Sequence, residues 1–556
     1  MQRLTLIGSL VLTLALAGCA GRAAGPAGPT AGEQAVQQST QKAQDAQCEA
    51  GQEAWRTAGS PKRGGVWRYS SQVPHLDPSA PDGRWYYHAG AYEYLAKPRM
   101  CYYSDMTVAP DLAKSWDISP DALTWTLKLR DDVKWQNLAP VGGRAFTAAD
   151  VAWTIDYHQK GGGGLKSVWE GVVHEEPNPT TVVLRFKEPR ADFLGQLADE
   201  HNVMLPREVK EQKGDFKGTL IGTGPFMLKE FKPDQALVLE KNLAYYLKGA
   251  DGQALPYMDG IQQTYFADYS AEVAAMRSGQ LDRNYTGGFR KLDADSLKAA
   301  GIKLRSFDNP AANVYGLWMK GASAPWNDVK VRRAVSLAID RDDIIAAEAG
   351  GAVNQGFLPL AVGGEYAWPP EKTKATFKAD LAQAKKLLAE AGFTRNATPF
   401  VLKTSQGYSI DVEVVQKQLE ALGMNVKIDL APGVAVSPVL AKKDFDLAYG
   451  PWSGGRLPDF WLGEVVRSGG TRNITGYGDP KLDAMIITQV KEVDPKKRKV
   501  LLDQIQDYLV ENMPYVPTIT RIYYHFESCR VRNIRNPHNS GSTWGASEAW
   551  IDQQSC

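Results

Sequence analysis

Apolar positions recur along this chain with two different spacings, and the switches between them mark out its elements. Leu123 to Arg130 reads Leu-Thr-Trp-Thr-Leu-Lys-Leu-Arg, apolar at every second place, which predicts a half-buried strand. Asn313 to Lys320 is a strand of β-branched and aromatic residues. Pro325 and Asn327 or Asp328 then supply a helix start, and Val331, Val335 and Ala338 fall on one helical face. Leu381, Ala384, Leu387, Leu388 and Ala391 form another helical stripe, stopped by Gly392. A strand at Phe400 to Lys403 follows, then a helix through Val412, Val415, Leu419 and Leu422 that ends at Gly423. A strand through Val426, Ile428 and Leu430, a helix over 434–441 and a strand at Phe445 to Tyr449 complete the run. Strands alternating with helices predict βαβ units, a largely parallel sheet and an α/β lobe over 316–516.

Outside that lobe the signals are more scattered. Lys62 to Tyr69 opens the folded body as a strand, and Pro74 to Pro78 is a turn cluster. Thr147 stands at a helix start with Asp150 three residues on, where a carboxylate suits the helix dipole. Thr180 to Phe186 is a strand. In Ile221-Gly222-Thr223-Gly224-Pro225-Phe226 the glycines permit a tight turn and the proline fixes its φ. Helices over 480–490 and 495–511 precede Pro514 to Ile519, which turns into a strand at Thr520 to Phe526.

The first residues change the setting. Met-Gln-Arg is followed by an uncharged run from Leu4 to Ala17, too short for a bilayer core that needs about 20 residues but the length of a signal-peptide apolar region. It ends Leu16-Ala17-Gly18-Cys19, which resembles the lipobox of bacterial lipoproteins, where cleavage precedes an acylated cysteine. Residues 1–18 are therefore expected to be a signal peptide, and 19–61, rich in Ala, Gly, Gln, Pro and Ser, a flexible tether lipidated at Cys19. The expected location is the periplasmic or extracytoplasmic side of a bacterial membrane, held by the lipid.

Composition narrows the class. The chain has 556 residues, with 64 Lys and Arg against 63 Asp and Glu, so it has no basic excess that would suggest nucleic-acid binding. At 43% hydrophobic residues it has material for two cores. Of five cysteines, Cys48, Cys101, Cys529 and Cys556 remain after Cys19, an even set suggesting disulfides in an exported chain. Cys529–Cys556 and Cys48–Cys101 are favoured by proximity alone. No cysteine pair has zinc-site spacing, the seven histidines are scattered, and His-Glu-x-x-His and Gly-x-Ser-x-Gly are absent, so neither metal, cofactor nor enzyme is expected. Gly161 to Gly164 with Lys166 and Ser167 is no phosphate loop, because Leu165 intervenes.

Several motifs occur in a telling order. Asn327 to Arg341 resembles the "D-x-x-V-R-x-A-x-x-x-A-I-D-R" segment of peptide/nickel-type solute-binding proteins of ABC importers. The same family shows "G-G-x-L" then "L-D-P", "L-A-x-S-W", "F-T-A-x-D-V", "G-T-G-P-Y/F", "L-x-x-G-x-x-D" and "P-x-x-P-L". Counterparts stand here at Gly64, Leu76, Leu112, Phe146, Gly222, Met276 and Pro514. The resemblance runs from Gly64 to about Tyr524. It implies a two-lobed type II periplasmic-binding-protein fold of the large cluster-C kind, with a hinge of two crossings at 309–319 and 514–522. It implies a first lobe of 62–312 plus 518–556, with an inserted subdomain at about 105–220, and a second lobe of 316–516. The expected activity is capture of a peptide, opine, sugar or modified peptide between lobes by a monomer, for delivery to a permease and its ATPase. Presentation of ligand to a sensor is the alternative, and an exported hydrolase a weaker one.

The expected ligand site centres on Gly450 to Trp461, a loop after a strand: Trp452, Ser453, Gly455, Arg456 and Asp459. In dipeptide and oligopeptide binders a loop resembling "G-W-x-x-D" pairs its aspartate with the peptide ammonium. Gly455 takes that place here, so Asp459 is the remaining acidic candidate. Trp318, Tyr86, Tyr87, Arg472 and Asn473 are the other candidates. The charges of Arg332, Arg333, Asp340 and Arg341 are expected to pair within the second lobe or face solvent.

Overall fold

A computed structural model describes residues 60–80, 90–98, 108–163, 165–199, 202–266, 268–284, 289–301, 304–310, 313–358, 366–432, 436–452, 457–470, 472–533 and 546–552. The expected signal peptide 1–18, and Cys19, Cys48, Cys101, Cys556, Tyr86, Tyr87, Ser453, Gly455 and Arg456, lie outside these. Among the described residues no helix is long and apolar enough to cross a membrane.

The first core is built on a mixed sheet. Val66–Ser70 runs parallel to Gly260–Thr264, which pairs antiparallel with Ala236–Lys241, and that strand with Phe226–Lys232. Trp67, Tyr69 and Ile261 point from this sheet into a large apolar cluster. The same cluster takes in an antiparallel sheet of Ala113–Ile118, Thr124–Leu129, Thr181–Arg185 and Val173–Asn178. The expected alternation of the second of these holds: Trp125, Leu127 and Leu129 are buried. Thr147 and Asp150 form a reciprocal capping box at the helix Ala148–Gln159.

Gly222 and Gly224 serve a different purpose from the expected turn. Neither has a positive φ. A Cβ on Gly222 would sit 2.0 Å from the Ala91 carbonyl oxygen, and one on Gly224 2.8 Å from the Ala91 carbonyl carbon. Close approach of two backbones, rather than a special dihedral, requires glycine here.

The second core surrounds a five-stranded sheet in the order Val426–Ala431, Phe400–Ser405, Leu447–Trp452, Val314–Met319, Val516–Pro517. The first three run parallel, as expected. The last two pairings are antiparallel, which corrects the expectation of a largely parallel sheet. The reason is connectivity: Val314–Met319 enters from the first core and Val516–Pro517 leaves towards it, so the two must run in opposite directions.

Those two strands continue into crossings that lie side by side. Leu304–Pro310 pairs antiparallel with Ile519–Ser528, with Pro310 opposite Ile522, and beyond the crossing Gly316 lies opposite Pro517. The Asp328 carboxylate accepts from the Lys330 amide at 2.7 Å, capping the helix Val329–Ala338. Arg332 and Arg341 in this region are buried and bond to carbonyl oxygens rather than to acids. Arg332 donates to Asn512, Met513 and Trp326, and Arg341 to Pro517, Ile339 and Phe377. Each guanidinium thus satisfies chain ends that a helix or strand leaves open.

Candidate functional site

The end of the strand Leu447–Trp452 is tied to the segment around residue 472. Trp452 donates its indole N–H to the Arg472 carbonyl at 2.9 Å. The Arg472 guanidinium lies 5.5 Å from the Phe460 ring centre. Burial lowers the pKa of Arg472, while the charges of Glu464 and Asp199 oppose that shift. Asn473 locks the turn that carries Arg472. Its amide donates to Arg467 and Tyr477 carbonyls at 3.1 and 2.8 Å, and its oxygen accepts from Thr475 Oγ1 and the Gly476 amide. Trp318, on the neighbouring strand, is fully buried, donating to the Gly450 carbonyl at 2.9 Å and stacked on Tyr515 at 4.6 Å.

Asp459 stands where the two cores meet. Phe460, next in the chain, packs into the first core, while Trp461 packs into the second. Asp459 Oδ1 accepts from Gln489 at 2.7 Å and from Arg498 Nη2 at 2.8 Å. Arg498 also holds both carboxylate oxygens of Asp192, the residue preceding the first-core helix Phe193–Leu197. Burial pushes the Asp459 carboxyl up to about 7, with the Asp192 charge adding to the shift and Arg498 opposing it. Around this triad the Ala191 amide donates to the Val490 carbonyl at 2.9 Å, and Lys491 pairs with Glu188 at 2.6 Å.

A second polar cluster sits on the returning crossing. Arg521 donates to Glu348 and Asp411, each at 2.8 Å, and its guanidinium faces the Tyr408 and Tyr315 rings at 4.7 and 5.5 Å. Tyr449 donates to the same Asp411 oxygen at 3.1 Å, and Tyr315 and Tyr523 share a hydroxyl contact of 2.5 Å. Arg290, which precedes the helix Lys291–Ala299, reaches the Gly407 carbonyl beside Tyr408.

Of the sequence candidates, Trp452, Arg472 and Asn473 are brought together, with Trp318 on the neighbouring strand and Asp459 on the side facing the first core. Asp192, Gln489, Arg498, Arg521, Glu348 and Asp411 were not foreseen. Arg521 had a local signal: Arg521, Tyr523, His525 and Glu527 put a polar group at every second place of one strand face. Asp192 and Arg498 had none, because they are 306 residues apart. Among the described residues no group of three or more His, Cys, Asp or Glu is arranged to hold a metal ion.

The bacterial extracellular solute-binding proteins, family 5, match residues 107–474 of the chain. An ABC transporter peptide-binding protein of Brucella ovis is 28% identical over 481 residues, 80% of this chain and 85% of that protein. The glutathione-binding protein GsiB of Salmonella typhi is 24% identical over 434 residues, 75% of this chain and 81% of that one. Among solved structures, the periplasmic binding protein DppA of Helicobacter pylori in complex with the peptide STSA superposes with a TM-score of 0.74 at 21% identity, covering 88% of this chain and 99% of that one. The binding protein AgaA of A. tumefaciens in complex with agropinic acid gives 0.76 at 23% identity, with coverage of 88% and 99%. These superpositions establish a two-lobed periplasmic-binding-protein fold.

Proposed function

The chain belongs to the family 5 bacterial extracellular solute-binding proteins, and from that premise we propose that it captures a peptide or peptide-like small polar ligand between its two lobes and hands it to the permease of an ABC importer. The pair of adjacent crossings carries this reading. Two strands side by side, with Pro310 opposite Ile522 and Gly316 opposite Pro517, make a narrow joint about which two packed bodies bend. A ligand shifts that bend only by binding the closed form more tightly than the open one. The lobes are assigned as 62–312 plus 518–556 and 316–516, with the subdomain at about 105–220 inside the first.

The ligand-contacting set is proposed as Trp318, Trp452, Ser453, Gly455, Arg456, Asp459, Arg472 and Asn473 from the second lobe, with Tyr86 and Tyr87 from the first. Gly455 in place of an acidic anchor argues against a plain free-amino-terminal dipeptide. It favours a ligand that carries its own negative charge or a modified amine, which the nearby Arg456 and Arg472 suit. The relatives that bind glutathione and agropinic acid are consistent with that class.

Cys19 is the proposed lipid attachment site, the protein is proposed to act as a tethered monomer, and Cys529 is proposed to pair with Cys556. The antiparallel pairing of Val531 with Ile551, two residues after Cys529 and five before Cys556 in sequence, supports this choice. Peptide mapping without reduction tests the pairing, and a linked peptide of another composition overturns it.

Native mass spectrometry of protein purified without denaturation, followed by a thermal-shift panel of peptides, sugars and opines, tests the function. A co-purifying peptide-like or opine-like molecule that raises the melting temperature is the expected result. Turnover of peptides or glycosides that is lost on substituting Asp459 would instead identify an exported hydrolase.

A further inference from the structure

We propose that Asp192 of the first lobe is a positioning residue for the ligand loop of the second: with Arg498 it clasps the lobes shut and fixes Asp459 in place. The inference rests on the ligand-capture reading. Its starting point is that one arginine serves two carboxylates from different lobes. Arg498 is 4% exposed at its side chain, Asp459 5% and Asp192 10%, so all three charges are removed from water when the lobes meet. The guanidinium fork takes Asp192 on both oxygens and reaches Asp459 with Nη2, while its Nε donates to Gln489 at 3.1 Å. Gln489 in turn donates to Asp459, closing the ring.

This arrangement cannot exist with the lobes apart. Asp192 precedes a helix that packs in the first core, and Arg498 belongs to the helix Pro495–Asn512 of the second. Opening separates Asp192 from Arg498, rehydrates both, and leaves Asp459 held by Arg498 and Gln489 without the fork's second anchor. The Ala191–Val490 backbone bond and the Glu188–Lys491 pair line the same seam, so Glu188, Ala191 and Asp192 dock together. Leu457 completes it, with its side chain 3.2 Å from the Cβ position of Gly195.

Charge adds a pH dependence to the clasp. The groups facing Asp459 are Asp192, Arg498 and Gln489, with Arg190 acting at longer range. Two acids against one paired arginine leave an excess negative charge in a dry seam. Taking up one proton on Asp459 removes it. The closed form therefore holds that proton more tightly than an exposed aspartate does. Its contribution to closure is complete below the ordinary value of 3.8 and is lost as pH rises through about 7. Closure weakens from pH 6 to pH 8.

Hydrogen exchange at the Ala191 amide, in the full mature chain, reads the clasp without any ligand. After correction for the intrinsic rate, wild type is expected to protect Ala191 more at pH 6 than at pH 8. Asp192→Asn is expected to speed exchange at Ala191 by at least about tenfold at pH 6 and to remove the pH difference. Amides of Val66–Ser70 should be unchanged. Asp192→Glu should restore part of the protection. Asp459→Asn, which imitates the protonated acid, should give the pH 6 level of protection at both pH values. Wild-type protection at Ala191 in Asp192→Asn, or a pH difference that survives Asp459→Asn, overturns the clasp. Titration with the tetrapeptide Ser-Thr-Ser-Ala and with glutathione separates the two ideas. Binding that weakens in Asp192→Asn alongside faster exchange supports both. Exchange behaving as expected while wild type binds neither probe sinks the peptide-ligand class and leaves the clasp standing.

Discussion

Arg521 and Asp411 meet at 2.8 Å beside the crossing between the lobes, both buried, with the guanidinium lying over the Tyr408 ring. The strand that carries Arg521 also carries the chain from one core to the other. The pair therefore anchors the joint to the second lobe through the helix Ser409–Leu422, which holds Asp411. Glu348 supplies the second acid, so the cation is neutralised from two sides.

Removing Asp411 strips both Arg521 and the Tyr449 hydroxyl of a buried acceptor and leaves Glu348 as the guanidinium's one acid among these contacts. Asp411→Ala is expected to destabilise the protein by about 3 kcal/mol in urea unfolding, with the midpoint moving at unchanged slope. A loss well under 1 kcal/mol would mean that Glu348 alone satisfies Arg521.

Glu93 gives a pH prediction in the first core. It is buried and accepts from Tyr245 and Tyr246 hydroxyls at 2.8 and 2.9 Å. Burial, reinforced by the Asp111 charge, pushes its carboxyl from 4.5 up to about 8. A raised carboxyl contributes stability that is complete below 4.5 and lost as pH rises through about 8. Stability should fall across that window, at most by about 1.4 kcal/mol per pH unit from this group. Melting temperatures from pH 5 to 9 should show the decline, and Glu93→Gln should flatten it. An unaltered slope in that variant assigns the decline to other groups.

Gly222→Ala tests the close approach at Ala91. The added methyl would meet the backbone oxygen at 2.0 Å, so two backbone segments must separate. A destabilisation of about 3 kcal/mol is expected by chemical denaturation. A change under 0.5 kcal/mol, roughly the scatter of surface substitutions, would show that the segment shifts freely.

Trp452→Ala and Asp459→Ala are each expected to weaken the ligand that co-purifies by at least about tenfold, about 1.4 kcal/mol, in calorimetric titration. Unchanged affinity in both moves the site elsewhere. Tight binding of an unblocked dipeptide overturns the argument from Gly455.

Local pattern made much of this molecule legible. Alternation located Thr124–Leu129, the 3.6-residue stripe located Ser409–Leu422 and Leu381–Glu390, and Asp328 capped its helix as its position implied. These features depend on neighbours within a turn or a pleat, so the sequence carries them directly. The order of motifs from Gly64 to Tyr524 carried the family, because each motif meets a local demand of the same fold.

The relations between distant segments were set elsewhere. The antiparallel half of the second sheet follows from how the chain enters and leaves that core. Gly222 is required by Ala91, which lies more than a hundred residues earlier. Arg332 and Arg341 look like surface charges in sequence, but they are buried because carbonyl groups at the ends of other elements need donors. Asp459 is one acid in a loop until folding places Arg498 and Asp192 against it. Residue types and spacing fixed which elements form and which family they compose. Only the tertiary structure decided which charges share a dry contact, because that depends on desolvation and geometry between segments that no local pattern links.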